Sequence, residues 1–75
     1  MRILRMGSIG PAVELLQLAL DRAGFGELRQ DGIFSSATDS ALRRFQSAHG
    51  LTPDGVAGRD THRALLPWYL SLIHI

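Results

Sequence analysis

The chain has 75 residues and a mass of 8.2 kDa, which is the size of one small domain. Hydrophobic residues make up 45% and charged residues 20%, a globular composition that excludes disordered and membrane-spanning classes. The absence of cysteine excludes disulfides, thiolate zinc sites and cysteine nucleophiles. A net charge of +1 is too small to favour a nucleic-acid or membrane partner, so we expect neither.

The first predicted helix runs from about Pro11 to Ala23. Gly10 precedes it as a cap, Pro11 has its φ already fixed for the first helical position, and Gly24 can end it in a left-handed conformation. Apolar residues at helical spacing give this helix one inward face. These residues are Val13, Leu15, Leu16, Ala19, Leu20 and Ala23.

The second and third helices are predicted at about Ser36 to His49 and Arg59 to Leu66. Ser35 and Gly50 bound the second helix, and the third is short because Pro67 stands where a helix normally ends. The inward face of the second helix is predicted to contain Thr38, Ala41, Leu42, Phe45 and Ala48. Three short helices without strand signals predict an all-α fold.

A turn-plus-helix unit recurs along the chain. The segments DGIFSSATDSAL (31–42) and DGVAGRDTHRAL (54–65) share Asp, Gly, Thr, Ala and Leu, and a weaker copy begins at Gly7. Each Asp-Gly pair predicts a tight turn, because glycine tolerates positive φ. Ile33 and Val56, which follow the two turns, are expected to plug the core as short extended segments. The repeat therefore predicts a compact three-helix bundle.

Asp31 and Asp54 are the most tempting catalytic pair, because glycoside hydrolysis commonly uses two carboxylates. They occupy the same turn of two repeats, however, so one structural cause explains both: each is expected to accept backbone N–H groups. Thr38 and Thr61 lie in the first turn of their helices and are also expected to be structural. We therefore expect no enzymatic activity in this chain.

Metal binding is not indicated by the three histidines. His49, His62 and His74 are 13 and 12 residues apart and do not have the spacing of metal ligands. No phosphate-binding glycine loop or dinucleotide fingerprint is present. The sequence thus predicts no metal and no cofactor.

Several motifs together, at these spacings, form a specific pattern. They are LRMG (4–7), Val13 with Leu16 and Gln17, Gly24-Phe25, DGIF (31–34), Thr38, Ala41-Leu42, Phe45-Gln46, Gly50-Leu51, DGV (54–56), Gly58, Thr61 and Leu65. In these features the chain from about Leu4 to Leu66 resembles the peptidoglycan-binding-domain-1 family, a cell-wall-binding module of bacterial and phage lytic enzymes.

The resemblance implies a non-catalytic module that holds peptidoglycan, either its glycan or its stem peptides, without a metal or cofactor. Such a module is usually attached to a hydrolase or peptidase in a longer polypeptide, which it targets to the wall. The resemblance also implies a location in the cell envelope or outside the cell, although the N terminus has no apolar segment of a signal peptide.

The expected ligand groove lies between the loop at Asp31 to Phe34 and the face of the second helix. The candidate ligand-binding residues are Asp31, Ile33, Phe34, Arg44 and Gln46. Some roles stay open: Phe34 either stacks on a sugar or packs in the core, and Gln46, like Gln17, recognises either a glycan or a neighbouring loop. Arg44 either pairs with a stem-peptide carboxylate or belongs to a solvated helix face.

The remaining aromatic residues that could stack on a sugar are Phe25, Phe45 and Trp68, of which Phe45 is expected in the core. An alternative function is a small helix-turn-helix-like domain that binds nucleic acid or protein, since three short helices with Arg43 and Arg44 fit that outline. The near-zero net charge argues against it.

The last six residues, LSLIHI (70–75), match the in-frame translation of a transposon end used to prepare sequencing libraries. The family resemblance has already ended by Leu66. We therefore expect a domain over residues 1–69 and a non-native tail over residues 70–75.

Overall fold

The computed structural model describes residues 2–26 and 29–72, and over these ranges the chain forms three α-helices. They are α1 (Pro11–Arg22), α2 (Ser36–Ala48) and α3 (Arg59–Leu72). The predicted all-α, three-helix fold is confirmed, and α1 and α2 each end one residue before the predicted position. None of the described helices is long and apolar enough to cross a membrane.

An N-terminal segment, residues 2–10, which contains a turn at residues 5–8, lies against the stretches that follow both Asp-Gly turns. It forms two isolated antiparallel bridges, Leu4 with Ala57 and Ile9 with Ile33. In the first, the Leu4 N–H donates to the Ala57 carbonyl at 3.2 Å and the Ala57 N–H donates back at 2.8 Å. The segment therefore connects two repeat units that are distant in sequence.

The core is a single cluster to which every helix and the N-terminal segment contribute. Its buried apolar residues are Leu4, Val13, Leu16, Ala19, Leu20, Phe34, Ala41, Leu42, Phe45, Ala57, Leu65 and Tyr69. Burial of this apolar surface is the main stabilising contribution in a chain without disulfides.

Helix α3 does not end before Pro67, as the sequence predicted, but continues to Leu72. Proline has no N–H to donate to the carbonyl four residues earlier, so continuation needs compensation. Tyr69 supplies it, because this side chain is only 3% exposed and its hydroxyl lies 2.8 Å from His62 Nδ1. Tertiary packing thus outweighs the local signal. Residues 73–75 lie outside the described residues, and the non-native origin of residues 70–75 stays a prediction.

The residues that plug the core after each turn are Phe34 and Ala57, not Ile33 and Val56 as predicted. Ile33 is 49% exposed, whereas Phe34 is 1% exposed. Successive side chains of an extended segment point to opposite faces, so a shift of one residue reverses which of them lies inside. The turn therefore sets this register one residue later than predicted.

Candidate ligand-binding site

The first Asp-Gly turn is closed by a glutamine from α1. Gln17 Nε2 lies 2.9 Å from the Ile33 carbonyl and 3.0 Å from Thr38 Oγ1. It also lies 3.3 Å from Asp31 Oδ1, and Gln17 Oε1 accepts the Gly32 N–H at 3.0 Å. One buried amide thus joins α1, the turn and the start of α2.

The second Asp-Gly turn repeats this network with a glutamine from α2. Gln46 Nε2 lies 3.0 Å from the Val56 carbonyl and 3.1 Å from Thr61 Oγ1. Asp54 Oδ1 is 3.2 Å away, and Gln46 Oε1 accepts the Gly55 N–H at 3.0 Å. In the described part of the chain, no buried side-chain nitrogen or oxygen lacks a hydrogen-bond partner.

Both aspartates have the structural role that the repeat predicted. Asp31 Oδ1 accepts the Ile33 N–H at 3.0 Å, and Asp54 Oδ1 accepts the Val56 N–H at the same distance. The hydrogen bond from the Ile33 N–H is the largest contribution that lowers the pKa of Asp31 below its usual value. Each carboxylate therefore stabilises its own turn.

Two of the predicted ligand-binding residues are almost fully buried. Phe34 and Gln46 are each 1% exposed, so the Phe34 ring packs in the core and cannot stack on a sugar. The Gln46 amide bonds a neighbouring loop, which is one of the two roles that the sequence left open. The same holds for Gln17.

The other three predicted site residues are exposed but lie in different places. Asp31 and Ile33 are on the first turn. Arg44 is on α2, where its Nη2 donates to the Phe25 carbonyl at 3.1 Å. The structure therefore does not bring the five residues into one groove, and a ligand contact at these three residues stays a prediction.

A groove does lie at the equivalent place of the next repeat, between the second turn and the start of α3. This turn groove has a volume of about 250 Å³. It is lined by Gln46, Leu51, Thr52, Asp54, Val56, Gly58, Arg59, Asp60 and Thr61. Gly58 leaves space there, because a Cβ at this position would meet no atom within 4 Å. The residue at the matching place in the first repeat is Ser35.

The aromatic candidates form a cluster at the C-terminal end of α2. The buried Phe45 ring stacks on His49 with the ring centres 4.1 Å apart. Phe25 and Trp68 contact Phe45 edge-on at 5.4 and 5.9 Å and are half-buried. The core position expected for Phe45 is confirmed.

His62, for which the sequence predicted no role, is buried. Its Nε2 lies 2.8 Å from the Arg2 carbonyl, and its Nδ1 lies 2.8 Å from the Tyr69 hydroxyl. Because a carbonyl only accepts, Nε2 carries a proton and donates it to the Arg2 carbonyl. Burial raises the pKa of Tyr69. The seven-residue spacing of His62 and Tyr69, two helical turns, was the available signal.

The family described as "Putative peptidoglycan binding domain" matches residues 9–65. The chain belongs to this family. It is 48% identical over 59 residues to the zinc D-Ala-D-Ala carboxypeptidase of Streptomyces albus G, which covers 73% of this chain and 22% of that protein. It is also 37% identical over 65 residues to the spore cortex-lytic enzyme of Oceanobacillus iheyensis. That match covers 87% of this chain and 24% of the relative.

Solved structures show the same fold. The SleB N-terminal domain superimposes with a TM-score of 0.85 at 37% identity, covering 91% of this chain and 93% of that one. The Burkholderia AP3 phage endolysin gives 0.82 at 44% identity, covering 85% of this chain and 24% of the endolysin. The chain thus corresponds to a whole solved domain but to less than a quarter of these larger proteins. Family membership favours the wall-binding prediction over the helix-turn-helix alternative.

Proposed function

We propose that this domain is a non-catalytic module that binds peptidoglycan through the turn groove and holds an attached hydrolase or peptidase at the wall. Family membership carries the proposal. The relatives bear enzyme names, and this chain matches 22% and 24% of the length of the first two. A domain shared by otherwise larger enzymes is well suited to targeting them to a common substrate.

The use of the two carboxylates supports binding without cleavage. Asp31 and Asp54 bond backbone N–H groups of separate turns, and each also contacts the glutamine of its network. A general acid and base would have to face one bond of the same substrate. Among the described residues there is no group of three or more potential metal ligands. These observations support a module that binds and does not cut.

The turn groove offers chemistry suited to wall polymers. Thr52, Arg59 and Asp60 provide polar groups for sugar hydroxyls or peptide amides, and Leu51 and Val56 provide apolar contact area. A groove of about 250 Å³ is small, so we expect a dissociation constant near micromolar or weaker, about −8 kcal/mol at most. Weak binding suffices for a tethered enzyme, because a polymer presents many sites at high effective concentration.

The proposed ligand determines where the domain works. Peptidoglycan lies in the cell envelope, so we place the domain there or outside the cell. Its immediate partners are a glycan strand or a stem peptide and, in a longer polypeptide, the attached enzyme.

Co-sedimentation with purified sacculi tests the proposal. The domain should leave the supernatant with the sacculi, without lowering their turbidity or releasing reducing sugar. The substitution Gly58→Gln extends a side chain across the turn groove and should weaken retention about tenfold, close to the loss of one good polar contact. Ser35→Gln, at the matching position of the first repeat, is the control and should leave retention unchanged.

Each component of the proposal can fail separately. Loss of turbidity would overturn the non-catalytic role, and failure to sediment even when several copies are displayed on one particle would overturn wall binding. Weakened retention by Ser35→Gln with no effect of Gly58→Gln would move the site to the first turn, where the sequence predicted it. Circular dichroism of both variants must show unchanged helical content.

A further inference from the structure

A second, larger cavity lies between the N-terminal segment and α3, and we call it the arginine pocket. It is lined by Ile3, Arg59, His62, Arg63 and Leu66, and its volume is about 460 Å³. Sites for small ligands commonly measure about 300–1,000 Å³. The pocket is therefore large enough for two amino-acid residues.

Two positive charges face an apolar surface in this pocket. Arg59 and Arg63 are one turn apart on α3, so their side chains lie on the same face of the helix. The only ion pair among the described residues joins Arg43 to Asp39, so neither guanidinium of the pocket is neutralised by a carboxylate there. Ile3 and Leu66, which are 64% and 45% exposed, supply apolar walls.

The histidine in the pocket already has partners within the protein. His62 is buried, and both ring nitrogens have partners, the Arg2 carbonyl and the Tyr69 hydroxyl. Its ring nitrogens are therefore not free to bind a ligand. The two arginines and the apolar walls of the pocket suit an anion with an aliphatic body.

We propose that the arginine pocket binds the free carboxylate end of a short aliphatic peptide, namely the stem peptide of peptidoglycan; this rests on the proposed function. A guanidinium binds a carboxylate through two parallel hydrogen bonds, whereas a neutral sugar has no use for two unpaired positive charges. The small side chains of such a peptide pack against Ile3 and Leu66.

The position of the pocket connects it to the turn groove. Arg59 lines both cavities, so they adjoin along the first turn of α3. A ligand that lies in the turn groove reaches the arginine pocket by passing this one side chain. The two cavities thus accommodate two parts of one wall fragment, with the peptide terminus in the arginine pocket.

An NMR titration with acetyl-D-alanyl-D-alanine tests this assignment. The free acid should shift backbone amides of α3 around Arg63, with a dissociation constant in the millimolar range. Amidation of the peptide's C terminus should weaken binding at least tenfold, because a charge-assisted bidentate contact is lost. Arg63→Gln should have the same effect, since Arg63 lines this pocket and not the turn groove. Arg22→Gln, an exposed arginine at the end of α1, is the matched control.

Equal binding of the acid and the amide would overturn the inference, as would shifts that avoid α3 or no shifts up to about 10 mM peptide. An Arg63→Lys variant gives a further check, because it keeps the charge but loses the paired geometry and should bind more weakly than the wild type. If sacculi retain the domain but the dipeptide does not bind, the pocket assignment fails alone. If the dipeptide binds but sacculi do not retain the domain, wall binding fails and the carboxylate site stands.

Discussion

The first Asp-Gly turn, at Asp31 and Gly32, and the second, at Asp54 and Gly55, have the same glycine conformation, with φ of 74° and 73°. Their surroundings differ. A Cβ on Gly32 would lie 3.0 Å from the backbone oxygen of Gly10, whereas a Cβ on Gly55 would overlap side-chain atoms of α2. The first turn thus packs against backbone, and the second lies under side chains of α2 beside an open groove. The network builds the turn, and the residues packed around the turn decide whether a groove lies beside it.

The two networks also receive their glutamine from different helical positions. Gln17 is 14 residues before its aspartate, and Gln46 is only 8 residues before the next one. When the repeats are aligned on Gly7 and Gly32, Gln17 matches Leu42 and not Gln46, a difference of one helical turn. A buried glutamine can therefore close the same kind of turn from two helical positions one turn apart. The number of residues between the glutamine and its aspartate differs accordingly.

The largest effect should come from replacing each amide by a carboxylate. In Gln17→Glu and Gln46→Glu, a carboxylate oxygen replaces the Nε2 donor and faces other acceptors in a buried site. Each substitution should therefore lower the free energy of unfolding by about 3 kcal/mol or more. Urea denaturation measures the loss. Gln30→Glu, at an exposed amide, should change it by less than about 0.5 kcal/mol. A tolerated change in only one network would show that the two are not equivalent.

Alanine substitutions at the two turn glycines should have an intermediate effect on stability, and the effect should be larger at Gly32 than at Gly55. Gly32→Ala combines the cost of positive φ with a contact against backbone, and we expect a loss of about 3 kcal/mol in unfolding free energy. Gly55→Ala should lose about 2 kcal/mol, because the Asp39 carboxylate can rotate away at the expense of its surface ion pair with Arg43.

Gly50→Ala is the control for these two variants. It has the same sign of φ but no atom within 4 Å of the added Cβ, so it reports the backbone cost alone, about 1 kcal/mol. Thermal and urea unfolding of the three variants would rank them. Equal losses at all three positions would mean that the surroundings of the turns do not matter.

The smallest effect concerns acid stability at the first turn. The pKa of Asp31 is lower in the folded than in the unfolded chain, chiefly because its carboxylate accepts the Ile33 N–H. As the pH falls, Asp31 therefore binds a proton in the unfolded chain before it does so in the folded chain. The stabilisation by its carboxylate is complete above the pKa of the unfolded chain and is lost below the pKa of the folded chain. Asp31→Asn should lose less stability than the wild type between about pH 5 and pH 3, as urea midpoints would show. Identical pH profiles would contradict this role.

Most of the fold could be predicted from local sequence signals, but its long-range features could not. The turns and helix starts were predictable because glycine, proline and the Asp-Gly repeat act over a few residues. The end of α3 was not, since continuation past Pro67 depends on the burial of Tyr69 against distant residues. The inward side chain after each turn was missed by one position, because the turn geometry sets the register.

The candidate site shows the same division. The sequence placed it beside an Asp-Gly turn, but in the first repeat, and the structure opens a groove at the second. Which turn has a groove beside it depends on what packs against each turn, and neither Asp31 nor Asp54 encodes this locally. A ligand contact at the first turn stays a prediction. The arginine pocket could not be predicted from the sequence, because residues that line it, such as Ile3 and Arg63, are far apart in the chain.

The antiparallel bridge between Leu4 and Ala57 constrains the order in which parts of this domain can fold during translation. The glutamine networks span 14 and 8 residues and can close soon after each turn has left the exit tunnel. The start of the N-terminal segment has only distant partners: Leu4 pairs with Ala57, and the contact of Arg2 with His62 spans 60 residues. Leu4 therefore stays in water until Ala57 has been translated, so this end of the domain is among its last parts to be buried.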